Sequence, residues 1–298
     1  MPRSFDGHEE FTARIIRSAF VASIIDRAKP FKIDPEEVVA VALGPEKYPT
    51  IDASLQLLGD LVAGELGADR IDYLVRDSLH SGSAAGRFDY QRLLNTMTVI
   101  NHPITGSPVL ALESGGRHAA EGLILARYFM FLTVYFHPVR RIYDQHLLDF
   151  LKEWLPRGRF SGGISNYLKL TDVEIESAIR AKNPAKLRRL ASRLTNRGHF
   201  RLAFEVPQAR LSGDETFFSD LEEKAKVEFG ELVKTDEPKK EAYTLETEQL
   251  YVVGPEGVSD ILEISPLIES LQPMWVGRVY APPKIRDDVK KFCTKLAK

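Results

Sequence analysis

The chain of 298 residues is 44% hydrophobic and 28% charged, a folded composition long enough for two cores, which excludes a fibrous or disordered polypeptide. Forty basic against 42 acidic residues give a formal net charge of -2, so the whole chain has no field to hold a nucleic-acid backbone nonspecifically, and only a local basic pocket stays open. The single cysteine, Cys293, rules out an internal disulfide, no secretory leader pattern follows Met1, and the apolar run from Leu123 to Phe136 is interrupted by Arg127 and shorter than the roughly 20 residues of a membrane span. The expectation is a cytoplasmic protein with no membrane partner.

In chain order, Phe11, Ile15, Ile16, Phe20, Ile24 and Ile25 recur at helical spacing, which predicts a helix over 9–28 opened by Asp6 and Gly7. Asp34-Pro35-Glu36-Glu37 supplies an N-cap, a first-turn proline and two acids favoured by the helix dipole, and Gly44-Pro45 closes that helix. A long helical pattern runs from Asp52 to about His80 across Gly59, Gly64 and Gly67. Thr96 to Ile100 and Val109 to Glu113 read as a hairpin turning through 103–108, and a further helix over 117–155 is kinked at Pro138. Glycines 158, 162 and 163 mark a boundary. Beyond it come a capping box at Thr171 to Glu174, a helix after Asn183-Pro184, and strands at 199–206, 241–247, 249–253 and 275–280. The fold class expected is a mainly α domain over 1–158 followed by a smaller α+β domain over 159–298.

The densest chemistry lies on the helix after Gly67, where Asp69, Tyr73, Arg76 and His80 share one stripe at about 100° per residue, flanked by Asp72 and Asp77. A polar stripe on a core-forming helix points to a pocket; a solvated face with Asp72 and Arg76 paired at i,i+4 is the other reading the spacing allows. His8 fits either an active-site edge or a frayed first turn, and His137 either a binding site or a satisfied histidine beside a proline kink. His137 and His146 lie nine residues, about 900°, apart on their helix and so face opposite ways.

The run Asp69-Arg70-Ile71-Asp72-Tyr73-Leu74-Val75-Arg76-Asp77, followed by Gly86-Arg87-Phe88-Asp89-Tyr90 and Arg92, resembles the signature of HD-superfamily phosphohydrolases of the deoxynucleoside triphosphate triphosphohydrolase type. The resemblance covers roughly residues 6–156. It implies a mainly helical HD-type domain that splits a deoxynucleotide into deoxynucleoside and triphosphate, with a divalent metal (Mn, Fe, Co, Ni or Zn, with Mg less suited) held by two histidines and two aspartates. Asp69 then corresponds to the last metal ligand, Arg70 and Tyr73 to positions that contact phosphates and sugar, and Asp77 to one near the sugar hydroxyl. His8, in Gly7-His8-Glu9-Glu10, corresponds to a histidine able to protonate a leaving oxygen, and His137 to one near the base or sugar. A homo-oligomer is implied as well.

No His-Asp dipeptide occurs among the seven histidines, so three of the four implied metal ligands are missing. The expectation is an N-terminally shortened chain, or else an HD-like module that lost its metal and binds a nucleotide or serves assembly without catalysis. No P-loop, dinucleotide-binding fingerprint or nucleophile elbow is present, and Cys293 has no histidine near it in sequence.

Overall fold

The computed structural model describes residues 7–28, 30–44, 52–160, 162–206, 208–214, 216–240 and 249–297. Asp6, Pro45 and the strand predicted over 241–247 lie outside them. In order, the helices and strands are α1 Gly7–Ile16, α2 Ala19–Ile25, α3 Pro35–Leu43, α4 Ala53–Ala63, α5 Ala68–Ser81, α6 Tyr90–Asn95, β1 Met97–Asn101, β2 Pro108–Glu113, α7 Arg117–Met130 and α8 Pro138–Trp154. There follow α9 Ile164–Tyr167, α10 Asp172–Arg180, α11 Ala185–Leu194, β3 Arg201–Val206, α12 Gln208–Gly213, α13 Phe217–Phe229, β4 Lys234–Asp236 and β5 Lys239–Lys240. The last are β6 Tyr251–Gly254, β7 Gly257–Asp260, α14 Ile261–Ile264, α15 Pro266–Glu269, β8 Met274–Trp275, β9 Gly277–Ala281 and α16 Arg286–Leu296. A mainly helical region is followed by an α+β one, and no single helix among the described residues is long and apolar enough to cross a membrane.

The caps expected from sequence form. Asp34 closes a capping box with Glu37, Asp52 accepts from the Ser54 amide at 2.8 Å, and Thr171 and Glu174 form the predicted box. Three predicted helices are each divided. Ser18, in extended conformation, separates α1 from α2 and serves as N-cap of the second. Gly64 to Gly67 separate α4 from α5, and a Cβ on Gly67 would stand 2.7 Å from the Val62 carbonyl oxygen, so only glycine lets the chain turn this tightly. A π turn over 131–135 ends α7's line, and Pro138 opens α8.

The chain forms two compact units, residues 1–130 with 242–271 and residues 131–241 with 272–298. This division differs from 1–158 and 159–298 because the chain returns. In unit 1 the expected β1–β2 hairpin pairs Met97 with Leu112 and Ile100 with Val109, and β6, about 140 residues later, joins β2 in parallel and pairs with β7, giving the order β1-β2-β6-β7. Such a long-range parallel pairing has no local sequence signal. Leu74, Leu93, Leu112, Leu123, Met130 and Ile261 are among this unit's fully buried side chains.

Unit 2 is built on the antiparallel sheet β3-β9-β4. Leu211, Phe218, Leu221, Val279, Val289 and Cys293 form its main core, while Phe150 packs with Leu190 and Ala191 between α8 and α11. The single strand predicted over 275–280 is two: Met274–Trp275 pairs with β5, and Gly277–Ala281 with β3 and β4.

Candidate active site

The polar stripe lies on α5, whose buried positions are Leu74 and Ser78. Asp69, Asp72, Arg76 and His80 are exposed, whereas Arg70, Tyr73 and Asp77 are half-buried at the edge of the packed face. Asp69, Tyr73 and Asp77 follow one another at i,i+4 and so form a row along the helix. The Asp69 carboxylate, expected inside a cavity, faces solvent, and as an acid in the first turn it is stabilised by the helix dipole. Asp72 and Arg76 form the exposed i,i+4 pair, at 2.8 Å, expected of a solvated face.

Arg70 is different. It pairs with Glu65, and the two side chains are only 15% and 7% exposed. Neither residue alone suits a core, since an isolated buried charge is expensive; together they are tolerated as an ion pair. Glu65 Oε1 has no hydrogen-bond partner among the described residues. On α4, burial pushes the Asp60 carboxyl up to about 6, so near neutral pH it is a carboxyl poised to give or take a proton. Sequence reasoning missed Glu65 and Asp60, which lie outside the α5 run; the acid beside the Gly64 break was the available signal.

The second half of the motif has structural tasks. Gly86 lies against α5 so closely that a Cβ would stand 2.5 Å from the Leu74 carbonyl oxygen and 2.9 Å from Ser78 Cβ. Asp89 caps α6 by accepting from the Arg92 amide at 2.9 Å, and Arg92 Nε donates to the Gly115 carbonyl at 2.9 Å. The motif therefore fastens the loop after α5 to the helix that carries the polar row.

The histidines behave otherwise. His8 is exposed in the first turn of α1, where its carbonyl accepts from Thr12 Oγ1 at 3.1 Å. His137 belongs to unit 2, whereas His8, Asp69, Arg70, Tyr73 and Asp77 belong to unit 1. It is exposed and caps α8, its Nδ1 accepting from the Val139 amide at 3.3 Å. Arg70, Tyr73, Asp77 and Asp69 thus share one helix, and the two histidines stand apart from that row in the chain.

Unit 1 holds a second polar cluster that sequence reasoning missed. Glu121 on α7 accepts from Ser265 Oγ at 2.6 Å and from Arg117 Nε at 3.1 Å, and pairs with His118 Nδ1 at 2.7 Å. Burial raises its carboxyl, but these hydrogen bonds outweigh burial and hold it below the ordinary carboxylate range. The i,i+3 and i,i+4 spacings of His118 and Arg117 to Glu121 were its signal.

A catalytic divalent ion needs several protein donors converging on one point. No group of three or more His, Cys, Asp or Glu side chains converges among the described residues, so these residues do not by themselves fit such an ion.

Residues 88–297 match the family described as HD associated region. A crystal structure of a hypothetical protein from Aquifex aeolicus is similar with a TM-score of 0.78 and 28% identity, covering 98% of this chain and 76% of that one. One of a phosphohydrolase from Bacteroides thetaiotaomicron VPI-5482 shares the fold, with a TM-score of 0.57 and 19% identity over 92% and 86% of the two chains. Among curated relatives, an uncharacterised protein of Methanocaldococcus jannaschii is 29% identical over 81% of this chain, and one of Bacillus subtilis strain 168 is 33% identical over 45% of it. The chain spans 55% of the first relative's length and 28% of the second's. With that match spanning most of its length, the chain belongs to the HD-associated region family.

Proposed function

We propose that the protein of which this chain is part is an HD-superfamily phosphohydrolase acting on deoxynucleoside triphosphates, with release of triphosphate. The observation that carries the proposal is the α5 row: Asp69, Tyr73 and Asp77 in line, beside an arginine ion-paired with buried Glu65. A guanidinium held in this way is suited to grip phosphate oxygens bidentately, while a phenol and a carboxylate one and two turns along are suited to sugar hydroxyls. The fold shared with a protein named a phosphohydrolase supports the same class. His8 and His137 are proposed as substrate-facing groups on the family resemblance alone. A divalent ion bound partly by Asp69 belongs to the proposal for the whole protein, as does assembly into a homo-oligomer.

The test is an assay with Mn and dGTP, on this chain and on the reading frame extended upstream. Triphosphate release by either form, lost in Asp69→Asn and strongly reduced in Arg70→Lys, is expected. No release from any deoxynucleotide with Mn, Fe, Co, Ni, Zn or Mg removes the reading. A second reading, a non-catalytic nucleotide-binding or assembly module, draws on the exposed Asp69 and the absence of a converging donor set among the described residues. It predicts dGTP binding by calorimetry without turnover, weakened by Arg70→Lys.

A further inference from the structure

Between Glu176 and Glu205 the chain has no acidic residue and eight basic ones: Arg180, Lys182, Lys186, Arg188, Arg189, Arg193, Arg197 and Arg201. Six are arginines, whose forks suit phosphate better than the point charge of lysine. Arg180 ends α10 and Lys182 lies in the link after it, and the fold gathers the other six on α11, the turn after it and the start of β3. Arg189 and Arg193 stand at i,i+4, one above the other and about 6 Å apart along α11. Arg201 Nη2 donates to the Arg197 carbonyl at 3.0 Å, tying the turn to β3. Leu190 and Ala191 anchor the opposite side of α11 in the core, so the ridge is held on a fixed support.

Compensation by carboxylates is thin. Lys186 pairs with Glu153 at 2.6 Å, and the one carboxylate of Asp149 lies 2.9 Å from Lys234 and 3.6 Å from Arg193. The side chains of Arg188, Arg189 and Arg197 are exposed and have no carboxylate partner among the described residues. The surplus is felt underneath: burial, then Arg193 and Lys234, together push the His146 imidazole down to about 4. Burial, then Arg201 and Arg197, likewise hold His199 below the ordinary histidine range. Arg197 also has φ 59°, a left-handed conformation that Gly or Asn adopts more readily, and Asn196 before it has φ 50°. An arginine kept where the backbone disfavours it points to a task for its side chain.

We infer that this ridge of unit 2 binds the phosphodiester backbone of a nucleic-acid strand, without base readout. A strand fits better than a lipid surface, because no large apolar side chain between Arg180 and Val206 is exposed to insert into a bilayer. It fits better than a small anion, because the cations are strung along a helix and a turn. The neighbouring cavity of about 490 Å³, lined by Arg201, Leu202, Pro283, Arg286 and Asp287, includes a carboxylate that repels a compact phosphate cluster. The inference concerns a surface outside the α5 row and stands whether or not that row hydrolyses nucleotides.

The experiment is fluorescence anisotropy of a labelled 30-residue oligouridylate, with an oligothymidylate of equal length as the second arm. Tight binding is expected at 50 mM salt, falling roughly 100-fold by 200 mM if about five phosphates are neutralised. The variant Arg188→Glu/Arg189→Glu/Arg197→Gly should lose at least tenfold of the affinity at 50 mM salt. Because glycine accepts the φ at 197, its melting temperature should not fall, which separates lost charge from lost fold; the single variant Arg197→Gly should keep the fold and lose part of the binding. Binding of RNA alone, DNA alone or both names the strand and supports the inference. It is overturned if neither strand binds at 50 mM salt, if the triple variant binds as well as the parent, if stoichiometric inorganic triphosphate displaces the strand, or if phosphatidylserine vesicles bind equally well.

Discussion

The two units carry opposite charge. Unit 1 has 13 basic and 23 acidic residues, a formal -10, whereas unit 2 has 27 basic and 19 acidic, a formal +8. The whole-chain value of -2 is their near-cancellation and describes neither. At physiological ionic strength a field fades over about 8 Å, so a ligand on one unit meets that unit's local charge and not the average. For unit 1 this sharpens the proposal: a phosphate approaching an acidic unit has to be met by a held cation, the role proposed for Arg70 beside Glu65. Unit 2 has cations in excess of its carboxylates.

The largest effect expected from breaking this contrast comes from the buried ion pairs, one type per unit. Arg70→Ala leaves Glu65 charged and buried, and Asp236→Ala leaves Arg141 without the carboxylate it grips at 2.6 and 2.9 Å. Each should cost about 3 kcal/mol, because removing one partner strands the other. Trp154 and Trp275, the only tryptophans, both belong to unit 2. Tryptophan fluorescence therefore reads unit 2, while circular dichroism reads both. Asp236→Ala should shift the fluorescence melt by at least as much as the dichroism melt, and Arg70→Ala should shift dichroism more; identical shifts would mean that the units unfold as one.

Next in size is Gly86→Ala, which forces a methyl against the Leu74 carbonyl, 2.5 Å away, and should cost about 1–3 kcal/mol. The damage falls on α5, so unit 1 alone should loosen, seen as faster amide exchange over 68–81. Unchanged exchange would show that the loop does not fasten the row.

Acid should pull the units in opposite directions. In unit 2, His146 is held neutral, its folded value near 4 lying below the unfolded 6.5, so the unfolded chain takes up the proton first and stability is lost as pH falls from 6.5 toward 4. In unit 1, Asp60 has a folded value near 6 above the unfolded 3.8, so the folded chain holds the proton and stability is gained as pH falls from 6 toward 3.8. Each change should be up to about 3 kcal/mol over its full window. The fluorescence melt should drop between pH 6.5 and 4.5, less so in His146→Gln, while Asp60→Asn should remove the acid-strengthened protection of α4. A parallel response of both units would refute the assignment of these groups.

What was legible in the sequence follows from range. Caps and the hairpin depend on residues within six positions of one another, and Asp34, Asp52, Thr171 and the β1–β2 pairing emerge as expected. Periodicity alone hid the breaks at Ser18, Gly64 and the π turn, because an apolar pattern continues across a short interruption. Unit boundaries were illegible since β6 reaches β2 from about 140 residues away. In the site, the α5 row was readable from the Asp69 to Asp77 run, but its outward tilt was not: Leu74 and Ser78 take the buried face and leave Asp69 exposed. Arg70's partner was hidden because Glu65 precedes the turn that brings it round. The basic ridge was hidden by averaging charge over the chain.

The smallest expected effect makes the finest distinction, because it lies on the same helix as the proposed site. Asp72 and Arg76 touch at 2.8 Å with side chains 58% and 63% exposed, so water already solvates both and their pairing adds little to stability. Asp72→Asn should therefore move the melting temperature by a degree or less and leave dGTP binding and turnover as they were. Asp69→Asn, also an exposed carboxylate on α5, should be as mild for stability yet abolish turnover. Stability cannot tell the two aspartates apart, so any difference in activity comes from what each side chain meets when substrate is present. If both variants keep full turnover, the α5 row is a solvated face; if both lose it, the site extends round the helix to Asp72 and the exposed pair is part of the chemistry.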